Sequence, residues 1–164
     1  MLYRAQALRL TRLAYVMLGD RGLAEDIVRE AFAGLRRRRG RLSDPAKALF
    51  YLRSSVLSDC RTVLRRSSAA RALTLVDIGE GPLTVVASAE ASAEASALSA
   101  RERRALMSAV RRLPARQREA LVLRFVLDEP EAEIARLMGI RPGAVRSTTY
   151  RALAALSRLL EERP

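Results

Sequence analysis

The chain has 164 residues, enough for one domain or two small ones, and its apolar content is mostly aliphatic, with no Trp, four Tyr and three Phe; this suits small helical cores and argues against a β-sandwich. Thirty basic against eighteen acidic residues give a net charge of +12, which points to a polyanionic partner: DNA, RNA or an anionic membrane surface. His is absent and Cys60 is the only cysteine, which removes a disulfide framework, a cysteine zinc cluster and the commonest general base, so neither an enzyme nor a bound metal or cofactor is expected.

The elements read as helices from the start. Tyr3, Ala7, Leu10, Ala14 and Met17 recur at three- and four-residue steps, and Gly19 supplies a stop. After Asp20 a second helix places Leu23, Ile27, Ala31 and Leu35 on one side and runs into the basic cluster Arg36 to Arg39. Asp44-Pro45 is an N-cap carboxylate followed by proline at the first helical position. From there Leu49, Leu52, Val56, Cys60 and Val63 form an inward stripe, so Cys60 reads as a buried small hydrophobe.

Charge then changes sign. Residues 1–71 carry sixteen basic and six acidic side chains, residues 72–100 none and four, and residues 101–164 fourteen and eight. The middle contains SAEASAEASALSA (88–100), a small-residue run without hydrophobic periodicity that reads as a linker. The sequence thus predicts a helical domain over 1–70, a flexible acidic, Ala/Ser-rich linker over 71–98 and a second helical domain over 99–164. A strand has no support except a brief LTLVDI (73–78).

The second half opens on Ser99-Ala100-Arg101-Glu102, which matches a capping box, and its helix continues to about Arg112. Leu113-Pro114 breaks the pattern and starts a helix carrying Leu121, Val122 and Phe125. A short helix from about Pro130 to Met138, Gly139, and a last helix from Pro142 to about Glu162 have helix-turn-helix spacing. Ala135 is small at the crossing, Gly139 suits the positive φ of a helix stop, and Ile134, Met138, Ile140 and Val145 form the local core. Val145, Thr149, Ala152, Leu156 and Leu160 fall on one side of the last helix. Ala144, Ser147, Thr148 and Arg151 fall opposite, with Arg141 and Arg146 flanking the amino end. Short side chains, hydroxyls and arginines at a helix amino terminus suit a DNA major groove, whereas the plain alternative is a solvated arginine-rich face. Glu129, Glu131 and Glu133 read as a surface cluster that complements the dipole of the short helix rather than as metal ligands. No 18-residue apolar run or signal-peptide pattern appears, so a cytoplasmic chain without membrane insertion is expected.

The run RLPARQREALVLRFVLDEPEAEIARLMGIRPGAVRSTTYRALAAL (112–156) resembles region 4 of bacterial RNA polymerase sigma factors of the extracytoplasmic-function (ECF) group. LTRLAYVMLGDRGLAEDIVREAFAGL (10–35) resembles region 2 of the same group, and DPAKALFYLRSSVLSDCRTVLRR (44–66) its continuation. The resemblance implies an all-α chain of a three-helix and a four-helix domain that binds core polymerase and promoter DNA. It places Asp26, Arg29 and Glu30 against the clamp helices of the polymerase β′ subunit, and the second domain near the β flap. It places Ser58, Asp59, Arg61, Arg65 and Arg66 at the −10 region, which this part of the chain would recognise and help to melt. Arg141, Arg146, Ser147, Thr148 and Arg151 would read the −35 element in the major groove. It also implies an anti-sigma factor as a partner and an acidic tether near the RNA exit path.

The chain departs from the family pattern at Arg29, where members carry Gln; at the run Arg36 to Arg39, near a usual Trp; and at Pro130 and Arg141, where a capping hydroxyl is usual. The loss at Arg141 costs the last helix about 1 kcal/mol, offset in part by Pro142. A stand-alone helix-turn-helix regulator, with the first half as a dimerisation or sensor module, and a degenerate sigma paralogue that titrates a partner, are the alternatives.

Overall fold

The computed structural model describes residues 2–74 and 99–162, and its described residues form seven α-helices and no strand. These are α1 (Leu2–Leu18), α2 (Arg21–Arg37), α3 (Pro45–Thr74), α4 (Ala100–Arg112), α5 (Ala115–Leu121), α6 (Glu131–Met138) and α7 (Pro142–Glu161). The all-α expectation of three helices followed by four holds. Helix α3 reaches Thr74, four residues into the stretch read as linker. The rest of that linker, and most of LTLVDI, lie outside the described residues.

Local chemistry sets the helix ends. Asp20 caps α2 by accepting from the Leu23 N–H at 3.0 Å, and Asp44 accepts from Ala46 N–H at 3.0 Å at the head of α3. Ser99 and Glu102 complete the reciprocal capping box of α4. Gly19 and Gly139 stop α1 and α6 at φ of 73° and 66°, backbone that glycine adopts without a Cβ penalty.

The helices α1 to α3 pack on one another, α4 and α5 pack on α1 and α6 on α3, and α7 packs on α4, α5 and α6; one buried cluster runs through both halves. Leu10, Leu13 and Met17 of α1 and Val56, Leu57 and Cys60 of α3 share it with Leu123, Leu127 and Ile134 from the second half. Burial of each large aliphatic side chain contributes roughly 1.5–3 kcal/mol, so the seam between the halves is part of the core. Cys60 is fully buried on the expected stripe, and burial pushes its thiol up to about 12. A smaller cluster of Leu113, Leu121 and Ala152 ties α5 to α7.

Three apolar assignments fail. Tyr3 is 53% exposed, with its ring against Phe32 at 4.2 Å between centroids. Phe125 is 64% exposed because α5 widens into a π-helical turn over Val122–Val126. There the Leu127 N–H reaches back five residues to the Val122 carbonyl at 3.1 Å. The extra residue turns Phe125 outward and Leu127 inward. Leu160, expected inward at the end of α7, is also exposed.

Candidate nucleic-acid interface

The helix-turn-helix is built by α6, Gly139 and α7. Ile134, Ala135, Leu137, Met138 and Val145 are buried where the two helices meet. The N–H groups of Gly139 and Ile140 both donate to the Ala135 carbonyl, which closes the carboxyl end of α6. Arg141 is the N-cap of α7 and makes no side-chain capping bond, and Pro142 follows at the first helical position. The amino end of α7 therefore keeps uncapped N–H donors beside an exposed guanidinium, an arrangement that attracts anions.

The outward face of α7 carries Arg146, Ser147, Tyr150 and Arg151, all exposed. Arg146 Nε donates to both carboxylate oxygens of Glu131, at 3.0 Å each, so α6 holds it in place. Arg151 donates to the Ser147 carbonyl at 3.3 Å and to its hydroxyl at 3.2 Å. Thr148 and Ala144 are half-buried, nearer the helix flank than the face to which they were assigned. Tyr150, 75% exposed, was missed; it follows Arg146 by four residues and Ser147 by three, the spacing that places side chains on one helix face.

A second polar region lies at the α2–α3 turn. Asp26, Arg29 and Glu30 are exposed on α2, where Arg29 pairs with Asp26 at 3.3 Å and Glu30 with Arg37 at 3.0 Å. A cleft of about 590 Å³ is lined by Lys47, Phe50, Tyr51, Ser54, Ser58 and Asp59 of α3, among others, and by Arg136 of α6. Arg38 donates to the Tyr51 hydroxyl at 2.8 Å and sits 5.2 Å from the ring centroid. Arg136 lies 4.5 Å from the Phe50 centroid. Burial, and then the charge of Glu30, push the Asp59 carboxyl up. Arg65 and Arg66 are exposed further along α3, Arg65 donating to Thr62 Oγ1 at 3.3 Å.

Arg61 does not join this exposed set. Its Nε donates at 3.0 Å to Glu119 of α5, a carboxylate only 1% exposed, and its Nη2 donates to the Leu137 carbonyl at 3.0 Å. About two helical turns earlier on α3, Arg53 pairs with Glu129 at 2.6 Å and lies 3.8 Å from Glu133. Glu129 is therefore not part of a surface dipole cluster; it is 7% exposed, and burial outweighs the Arg53 charge to push its carboxyl up. Its position follows Asp128, which takes φ of 53° and turns the chain inward at the end of the π turn.

Residues 2–70 match the family described as Sigma-70 region 2, and residues 97–156 match Sigma-70, region 4. The chain is 31% identical to the ECF RNA polymerase sigma factor BldN of Streptomyces coelicolor over 92% of its own length and 56% of that protein's. It is 30% identical to the ECF RNA polymerase sigma factor SigM of Mycobacterium tuberculosis over 97% of its length and 75% of the relative's. The chain belongs to the ECF-type RNA polymerase sigma factors. It spans little more than half of BldN and 38% of a probable sigma factor, RfaY, of Xanthomonas campestris. The sigma factor RpoE, solved in complex with the anti-sigma factor NepR from Bartonella quintana, shares its fold at a TM-score of 0.66, with 19% identity over 98% of this chain and 95% of that one.

Within this sigma-family chain, the two matched regions coincide with the two polar surfaces: the α2–α3 turn falls in region 2 and the helix-turn-helix in region 4. Phe50 and Tyr51, for which stacking on a base and a place in the core were both open from the sequence, line the cleft, and the residues that sequence reasoning missed are Arg53, Glu119, Arg136 and Tyr150. Among the described residues no group of three or more Cys, Asp or Glu side chains is placed to hold a metal ion, and no helix is long and apolar enough to cross a membrane.

Proposed function

We propose that this chain acts as a sigma factor in the cytoplasm, bringing core RNA polymerase to promoters through a −35 reader on α7 and a −10 reader on α3. The observation that carries the reading is the pairing of two sigma-70 regions in one chain with a helix-turn-helix whose second helix exposes Arg146, Ser147, Tyr150 and Arg151. Arginines read guanine edges or phosphates, and hydroxyls and an aromatic edge suit bases and thymine methyl groups. Arg141 adds positive charge at the amino end of the reading helix, and Thr148 supports its flank.

The α2 face with Asp26, Arg29 and Glu30 docks on the clamp helices of the β′ subunit, and the second half lies near the β flap. Ser58 and Asp59 in the cleft, with Arg61, Arg65 and Arg66 along α3, engage the −10 region. Unpaired bases captured there offset a few kcal/mol of lost stacking, and so favour melting. Polymerase performs the chemistry; the chain contributes binding and orientation, and needs no cofactor. The acidic stretch between the halves runs near the RNA exit path. The RpoE neighbour was solved with an anti-sigma factor, and a partner of that class is proposed for this chain too.

The test is run-off transcription with purified core polymerase from the source bacterium on a genomic fragment library. Transcripts should start at asymmetric two-part sites only when the chain is added. Failure to join core or start transcripts, with tight binding of the free chain to palindromic DNA, would establish a stand-alone helix-turn-helix regulator instead. Joining core without starting transcripts would mark a paralogue that titrates polymerase.

A further inference from the structure

One face of α3 is graded along the helix. Ala46, Phe50, Ser54 and Ser58 follow one another at steps of four, and Lys47, Tyr51, Ser55 and Asp59 form a parallel row beside them. A cation and apolar groups at the amino end thus give way to two rings, and then to hydroxyls and a carboxylate. Both rows line the cleft of about 590 Å³, a size that suits a small ligand. Each ring carries a guanidinium, with Arg136 at 4.5 Å from the Phe50 centroid and Arg38 at 5.2 Å from that of Tyr51. Ring and guanidinium planes both stack on nucleobases. Lys47 and Arg41 are exposed, with no side-chain partner among the described residues, and Arg41 adjoins Leu42 of the cleft lining. The proposed function draws on Ser58 and Asp59 of this face and leaves the two rings and the two cations unassigned.

We propose that the cleft binds a guanine nucleotide with a phosphate chain, its phosphates on Lys47 and Arg41, its base against the two ring–guanidinium stacks and its edge on Asp59. Lys47 and Asp59 stand just over three helical turns apart, about 18 Å along α3. A nucleoside polyphosphate covers that span and a bare nucleoside does not. The far end of the cleft selects the base. An ionised carboxylate only accepts hydrogen bonds. Guanine offers it two adjacent N–H donors, from the ring and the exocyclic amine, whereas adenine sets a lone pair beside its amine. Burial and the Glu30 charge disfavour the Asp59 anion, and two donors on its oxygens offset that penalty. The Ser54 and Ser58 hydroxyls of the neighbouring row can donate to the guanine carbonyl. The site stands on the cleft alone, and only its consequence rests on the sigma-factor reading. Because Ser58 and Asp59 belong to the −10 set, a bound nucleotide and a −10 strand exclude each other.

The test titrates the full-length free chain with a fluorescent N-methylanthraniloyl derivative of GTP, by anisotropy, at about 0.15 M salt to screen general attraction to a cationic surface. The bound probe is then displaced with GTP, ATP or inorganic tripolyphosphate. One site per chain should fill. GTP should displace the probe about tenfold better than ATP, the scale of a hydrogen bond to a charged group. Tripolyphosphate, which has the charge without the base, should be weaker still. Lys47 is exposed and Asp59 half-buried, so replacing either leaves the core filled. Asp59→Asn should bring GTP down to the level of ATP and leave tripolyphosphate unchanged. Lys47→Ala should weaken all three competitors alike, and Arg158→Ala, the same charge change at an exposed site on α7, should weaken none. Absence of saturable binding, tripolyphosphate or ATP that matches GTP, a base preference that survives Asp59→Asn, or an equal loss from Arg158→Ala would each overturn the nucleotide site. Promoter complexes that form with core polymerase while those results fail sink the nucleotide site alone; nucleotide binding without any promoter complex sinks the sigma reading alone.

Discussion

On the proposed reading, in which Arg146 engages the −35 element, Glu131 withholds its guanidinium from DNA, and removing Glu131 should tighten binding. The single Nε–H of Arg146 is shared between both Glu131 oxygens at 3.0 Å, and the pair is open to water, with side-chain exposures of 78% for Arg146 and 30% for Glu131. A pair so exposed is worth about 0.2–1 kcal/mol, which DNA must forgo when it takes the guanidinium. Glu131→Gln should therefore raise affinity for a −35 duplex by about 1.5- to 5-fold, at 1.4 kcal/mol per tenfold. Arg146→Ala acts in the opposite direction. If the guanidinium reads a guanine edge, its loss costs about 1–3 kcal/mol at one base position; if it holds a phosphate, binding weakens uniformly and the salt slope falls by about one. Anisotropy titrations of polymerase carrying each variant, over a salt series and a set of single-base −35 changes, separate these outcomes. Affinity for core polymerase should be unchanged in both variants. Weaker DNA binding by Glu131→Gln would mean that Glu131 orients Arg146 rather than withholding it. Loss of core binding in Arg146→Ala would contradict the assignment of the α7 face to DNA.

Arg118→Ala should lower stability by about 3 kcal/mol. The buried guanidinium donates to the carbonyls of Met17 at 2.6 Å, Val110 at 3.2 Å, Leu113 at 3.1 Å and Arg111, and each stranded acceptor costs about 1–3 kcal/mol before water recovers part of it. A urea midpoint that moves by less than about 1 kcal/mol equivalent would show these bonds to be replaceable. Asp59→Asn should stabilise the chain at neutral pH. Burial and Glu30 raise the Asp59 carboxyl above its ordinary 3.8, so the folded state binds the proton more tightly, and stability falls as pH rises through that window. Thermal melts from acid to neutral pH should show a flatter profile in the Asn variant; an unchanged slope would remove Asp59 as its source. Gly34→Ala places a Cβ against the Tyr51 hydroxyl and should cost about 1–3 kcal/mol by overpacking. It should also weaken binding of the −10 strand, and a wild-type urea midpoint would mean that Tyr51 is seated elsewhere.

What the sequence made legible is what neighbouring residues decide together. The caps at Asp20, Asp44 and Ser99 and the stops at Gly19 and Gly139 each rest on contacts within a few positions, and each stands where it was read. The face of α7 was mostly legible for the same reason. Tyr150 is less legible because an aromatic ring at helical spacing reads equally as core, and only its exposure places it on the outer face with Arg146. Periodicity failed at Phe125, where one extra residue in the π turn rotates everything after it. That turn has no strong signature in composition, but its consequence reaches far. It sets Leu127 inward, Asp128 at positive φ, and Glu129 into the seam, where Arg53 meets it at 2.6 Å. A carboxylate near a helix start reads as solvated until the packing of two segments some seventy residues apart is known. Arg61 was obscured in the same way, since an arginine on a DNA-facing stripe and an arginine bound to a buried glutamate are the same letter. The two missed ion pairs lie on one surface, and both join the halves that the charge pattern had separated. The seam is thus where local rules lose their hold, because the partners that decide a side chain's role there lie in the other half of the chain.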